Sequence, residues 1–109
     1  MDESKISSDL IRGHIDTIIL KLLNSGEKYG YEIGKLISAA SKGEYELKEA
    51  SMYSSLKRME QNNLIESYWG DETQGARRKY YKITAKGKAK YIESKKSWES
   101  IKKLLDKLI

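Results

Sequence analysis

The chain of 109 residues contains no cysteine, no proline and no phenylalanine, and it has one histidine, His14. Without cysteine there is no disulfide, no zinc-thiolate site and no thiol nucleophile. A lone histidine cannot build a His-based metal cluster and argues against a Ser-His-Asp triad. No phosphate-cradling glycine loop and no convincing nucleophile-base pair is present. No apolar run approaches the roughly 20 residues of a membrane helix. The start, Met1-Asp2-Glu3-Ser4, lacks the basic and apolar regions of a secretion signal. These absences point to a cytoplasmic binding protein that is not an enzyme and uses neither metal nor cofactor. The absence of proline also means that helix ends must be read from glycine, capping residues and periodicity.

What is present is a core and an uneven charge. Hydrophobic residues make up 39% of the chain, enough to exclude a disordered segment and to fill one domain. The net charge of +5 is concentrated in the second half. Residues 1–47 hold 6 basic and 8 acidic side chains, whereas residues 48–109 hold 15 basic and 8 acidic. The longest acid-free stretch, 73–92, carries Arg77, Arg78, Lys79, Lys82, Lys86, Lys88 and Lys90. Such a bias suits a polyanion-binding surface and equally a solvated basic face.

Apolar spacing divides the chain into elements. Ile11, Ile15, Ile18, Ile19, Leu22 and Leu23 predict a first helix over 8–24, stopped at Gly26. Ile33, Leu36, Ile37 and Ala40 predict a second over 30–40, after a loop at Glu27-Lys28-Tyr29. Residues 44–48 alternate polar and apolar, which predicts a short extended piece. Met52, Leu56 and Met59 predict a third helix over 50–62. Its opposite face presents Ser54, Lys57, Arg58 and Gln61, with no carboxylate. Residues 64–69 and 79–83 predict an antiparallel hairpin with a long tip at 70–76. Tyr80 and Tyr81 must point to opposite faces, so one belongs to the core. Trp69 is expected to pack on the hairpin. Thr84 is a good N-cap for a last helix reaching the C-terminus. Tyr91, Trp98, Ile101, Leu105 and Leu108 form an apolar stripe on it, too long for so small a domain to cover, so it needs a partner.

The order helix, helix, extended piece, helix, hairpin, long helix is that of a mainly α winged helix-turn-helix with an added C-terminal helix. Such a fold can set its third helix in a major groove and lay a basic hairpin on the backbone. Residues 1–84 are read as the DNA-binding part. Residues 85–109 are read as a dimerisation helix packed as part of the same single domain.

Four fragments, in order, resemble the PadR family of bacterial transcriptional regulators. They are Arg12-Gly13-His14-Ile15-Asp16 with Ile18 to Leu23, Tyr29-Gly30-Tyr31-Glu32-Ile33, Ser51 to Glu60, and the hairpin 64–84 followed by Lys86-Gly87. Two departures are visible: Ala50 stands where the family often has proline, and Ser51-Met52 where it has threonine-leucine. The short last helix is similar to the small branch of the family. The resemblance implies a homodimeric repressor released by a small ligand, in some members a flat aromatic one at the dimer interface; the symmetry of a dimer then predicts a palindromic operator.

The candidate DNA-binding residues are Ser51, Tyr53, Ser54, Lys57, Arg58 and Gln61 on the third helix and Arg77, Arg78 and Lys79 on the hairpin. Ser51 and Ser54 lie near the positive end of the helix dipole. Tyr53 is either a half-buried aromatic or, as the resemblance implies, a phosphate contact. The candidate interface residues are Tyr91, Trp98, Ile101, Leu105 and Leu108. Trp98 suits a dimer core, the wall of a slot for a planar ligand, or both. His14 is read as structural, and Glu44, Glu46 and Glu49 as solvated, since they lack metal-loop spacing. A winged-helix adaptor that binds protein rather than DNA is the alternative; the carboxylate-free helix face and basic hairpin favour DNA.

Overall fold

The computed structural model describes residues 8–70 and 77–109. The described residues begin with a single turn, α1 (Ser8–Ile11), then a 3-10 turn at Arg12–His14, then α2 (Ile15–Asn24). The expected first helix is therefore interrupted at Arg12-Gly13-His14, where glycine weakens helical continuity. A two-residue strand β1 (Lys28–Tyr29) leads into α3 (Gly30–Ala40). The helix α4 (Glu49–Gln61) follows, then β2 (Ile65–Trp69), β3 (Lys79–Ile83) and the long α5 (Ala85–Leu108). The hairpin tip expected at 70–76 lies, beyond Gly70, outside the described residues.

The hairpin is part of a three-stranded antiparallel sheet of order β1-β3-β2. Lys28–Tyr29, expected as a loop, pairs with Tyr81 and Tyr80 and gives β3 a second neighbour. Residues 44–48, expected as an extended piece, form no strand; Tyr45 and Leu47 pack as an irregular loop against the core. The Ser41 hydroxyl, 3.1 Å from the backbone N and O of Tyr45, fixes that loop instead of a ladder.

The core gathers Ile19, Leu20 and Leu23 of α2, Ile33 and Ile37 of α3, Met52, Leu56 and Met59 of α4, and Ile65, Tyr81 and Ile83 of the sheet. Leu20 lies off the single stripe read from the spacing, yet it is buried. The reason is that α2 is the central helix, in contact with α3, α4, α5 and β3. The register Ile65↔Ile83 and Ser67↔Tyr81 turns those side chains toward the core, Trp69 and Lys79 share that face of the sheet with Trp69 left exposed, and the Glu66–Lys82 and Tyr68–Tyr80 pairs face the other way.

A tight junction joins the end of α4 to the start of α5. Asn63 turns the chain with a positive φ of 63°. The Thr84 hydroxyl donates toward the Asn63 and Leu64 carbonyls (2.7 and 3.0 Å) and accepts from the Gly87 N–H at 3.0 Å. Lys86 Nζ donates to the Asn62 carbonyl at 3.0 Å, a cation at a helix C-terminus. Gly87 is buried, and a Cβ there would overlap the Leu64 carbonyl oxygen and crowd Ile83. Gly87→Ala is therefore expected to cost about 1–3 kcal/mol through overpacking, read as a lower urea midpoint; an unchanged midpoint would show that the junction has slack.

Candidate nucleic-acid interface

The inward side of α4 is apolar: Met52, Leu56 and Met59 are buried, together with Ser55. Its outward side carries Ser51, Tyr53, Ser54, Lys57, Arg58 and Gln61, all exposed. Burial of one face thus fixes the orientation in which the other meets solvent. Tyr53 has an exposed edge, while its ring lies across Gly30 at the start of α3, close enough that a Cβ on Gly30 would sit 2.5 Å from the hydroxyl. Two grooves flank the N-terminal half of α4. One, of about 270 Å³, runs between Tyr31, Lys35 and Tyr53 over Met52. The other, of about 480 Å³, is lined by Arg12, Lys48, Ser51, Ser54 and Arg58 over Ile15.

Arg58 differs from its neighbours. Its Nη2 donates to both carboxylate oxygens of Asp16, at 2.6 and 2.8 Å, and lies 3.4 Å from Ser55 Oγ. Asp16 is in the first turn of α2, so the face expected to lack a carboxylate has one at its edge. Among the described residues, Lys57, Arg77, Arg78 and Lys79 make no ion pair.

On the hairpin, the basic residues lie over aromatic rings. Arg77 sits 5.5 Å and Lys79 5.8 Å from the Trp69 ring centre, and Arg78 sits 4.5 Å from that of Tyr29. Tyr80 joins the outer face, stacked on Tyr68 at 5.6 Å and edge-on to Tyr29 at 5.8 Å. Trp69 does pack within the hairpin, as expected, and it remains 55% exposed beneath its two cations. Exposed cation–π contacts of this kind contribute about 0.5–1 kcal/mol each. They hold the charges near the hairpin without neutralising them.

Two carboxylates fasten the hairpin, one from α4 and one from the connection between α2 and β1. Ser67 donates to Glu60 of α4, and the Tyr68 hydroxyl donates to Glu27 just before β1. That hydrogen bond, followed by desolvation and the Glu27 charge, pushes the Tyr68 phenol up. Burial pushes Tyr81 up, with Tyr53 and Glu60 adding to it; burial does the same to Tyr45.

The apolar stripe of α5 lies apart from this surface. Tyr91 packs against the core, whereas Trp98, Ile101, Leu105 and Leu108 are 45%, 50%, 43% and 68% exposed. Leu104, off the expected stripe, is 50% exposed beside them. His14 meets Trp98 edge-on with ring centres 5.0 Å apart, tying the 3-10 turn to α5. Among the described residues no helix is long and apolar enough to cross a membrane, and no three His, Asp or Glu side chains converge as a metal site.

The same arrangement recurs in known proteins. The family model of the PadR-like transcriptional regulators matches residues 19–93, from the middle of α2 into α5. This chain belongs to the PadR-like family. A transcriptional regulator from Clostridium thermocellum is 47% identical, with 95% of this chain and 98% of that one covered and a TM-score of 0.89. A PadR family regulator from Clostridium difficile is 42% identical over 87% of this chain and 97% of its own, with a TM-score of 0.75. Bacillus subtilis PadR, solved in complex with operator DNA, has a TM-score of 0.66. It is 24% identical, with 72% of this chain and 45% of that one covered, a likeness of fold. The winged helix-turn-helix read from the element order is the PadR fold, and the protein belongs with transcriptional regulators.

The raised Tyr81 phenol gives a test of how the hairpin is anchored. A group whose pKa is higher folded than unfolded contributes stability below its unfolded value, here 10.0, that is lost as pH rises through the folded value. The urea midpoint is expected to fall above about pH 10, and to fall less in Tyr81→Phe. Equal alkaline losses in the two proteins would place Tyr81 outside the cooperative core.

Proposed function

We propose that this regulator is a homodimeric repressor that sets α4 of each protomer in the major groove of one half of a palindromic operator. In this reading Ser51, Tyr53, Ser54, Lys57 and Gln61 meet base edges and phosphates, and Arg77, Arg78 and Lys79 of the hairpin bind the backbone. Arg58 belongs to the same face through its pair with Asp16. The observation that carries the reading is one polar helix face, held outward by three buried side chains, beside a basic hairpin without ion-pair partners among the described residues. Phosphate contacts from the hairpin supply affinity and register, and side chains in the groove supply sequence preference. The operator complex of Bacillus subtilis PadR supports DNA as the ligand of this fold.

The dimer is formed, in this reading, by residues 85–109, with Trp98, Ile101, Leu105 and Leu108 of two copies covering each other and Tyr91 marking where the stripe leaves the core. Half-exposed Trp98 is both dimer core and a wall of a slot for a planar effector that releases the DNA. A ligand there shifts the spacing of the two reading helices only to the extent that it binds one spacing more tightly.

Fluorescence anisotropy against the duplex upstream of the protein's own gene, with a scrambled duplex beside it and a salt series for each, tests the reading. Tight, salt-sensitive and selective binding is expected. Loss of all binding at low salt would favour a protein-binding adaptor. Replacing Arg77, Arg78 and Lys79 by alanine is expected to flatten the slope of log K against log salt by about 0.9 for each phosphate no longer neutralised; an unaltered slope would remove the hairpin from the interface. Trp98→Ala is expected to weaken dimerisation in sedimentation measurements or to abolish the effector response. A stable dimer with an unaltered response would exclude both roles.

A further inference from the structure

The Asp16–Arg58 pair links residues 42 positions apart and lies at solvent on the surface just described, with Arg58 53% and Asp16 36% exposed. Both oxygens of Asp16 are spent on one nitrogen of Arg58, and the same nitrogen lies within reach of Ser55, whose side chain is buried beneath it. The guanidinium is thus drawn back along α4 toward the N-terminus of α2.

We infer that Asp16 is a specificity-determining residue: it restrains Arg58 so that α4 meets DNA with its charge cancelled at that point. The inference rests on the DNA reading above. Its physical basis is that attraction between cations and phosphates is independent of sequence. An arginine free to reach any phosphate tightens binding to every duplex alike. A paired one releases few counterions and leaves recognition to Ser51, Ser54 and Gln61, which carry no charge and gain only where a base edge matches. Lys57 remains as the cation on this face that has no carboxylate partner among the described residues. Sequence-independent attraction is thereby left mainly to Arg77, Arg78 and Lys79. Asp16 acts through Arg58 and is a positioning residue; it touches no DNA itself.

Three variants in the full chain, Asp16→Asn, Arg58→Ala and the double variant, test this against a mixed-sequence duplex and the upstream duplex across a salt series. An exposed pair contributes little to stability, so all three are expected to fold, which circular dichroism and thermal melting check independently. Asp16→Asn is expected to steepen the log–log salt slope on the mixed-sequence duplex by about 0.9, one more phosphate neutralised. It is also expected to lower the preference for the upstream duplex. The double variant, uncharged at both positions, is expected to keep the wild-type slope, whereas Arg58→Ala alone uncovers the Asp16 carboxylate and is expected to weaken binding to both duplexes. A wild-type slope in Asp16→Asn overturns the inference. So does a gain that survives in the double variant, since the carboxylate would then be repelling DNA directly. A slope flattened in the double variant also overturns it, because Arg58 would already be bound to phosphate. Absence of wild-type binding to either duplex at low salt overturns the DNA reading, and this inference with it.

Discussion

Met52, Leu56 and Met59, three side chains at helical spacing, press α4 into a core built around α2, and the remaining architecture is arranged about that contact. Because these residues and Ser55 are buried, α4 has one allowed rotation about its axis. Its polar side then faces outward without any further device. The sheet packs against the same core through Ile65, Tyr81 and Ile83, so helix and hairpin are two projections from one packed body. Truncating a fully buried leucine such as Leu56 in such a core costs about 2–5 kcal/mol, a large share of the stability of a domain this size.

The second constraint is the junction between α4 and α5. There the chain reverses at Asn63, and Thr84 and Lys86 donate to the carbonyls of Asn62, Asn63 and Leu64, while the Gly87 N–H donates to the Thr84 hydroxyl. The last turn of α4 closes on its own turn, with the Asn62, Leu64 and Asn63 N–H groups donating to the Arg58, Met59 and Glu60 carbonyls, and the start of α5 takes up the carbonyls just beyond. The α5 helix therefore leaves the body at a set angle, running on for 24 residues, roughly 36 Å. Only its first turns, up to Tyr91, are held by the core; His14 braces Trp98 one step further out.

Local pattern made much of this legible. The spacing in α3 and α4, the Thr84 cap and the alternation in the hairpin each belong to a single segment, and each corresponds to an observed element within about a residue. The failures share a cause, which is dependence on a distant partner. Lys28–Tyr29 has no periodicity to read, and it is a strand because β3 offers a free edge. Residues 44–48 alternate as a strand would, yet no edge is available to them, and Ser41 holds Tyr45 in a loop. Leu20 is buried because α2 is surrounded, which a one-stripe reading cannot see. Arg58 read as a free cation because Asp16 lies far away in sequence. The exposed residues of α4 and the basic hairpin were visible as a face and a cluster. The aromatic rings beneath those cations emerged only from strand register.

The division of α4 into a buried and an exposed face also bears on how such a regulator diverges. Ser51, Ser54 and Gln61 contribute little to the packing that holds the helix. Changes on a surface of this kind typically alter stability by about 0.5 kcal/mol or less. Duplicated copies of the gene could therefore drift toward different target sequences while keeping an intact fold. Position 58 differs in kind: a new residue there costs the fold little, because the pair is exposed, but it uncovers the Asp16 carboxylate on the reading face, so a change at one site alters what the other presents.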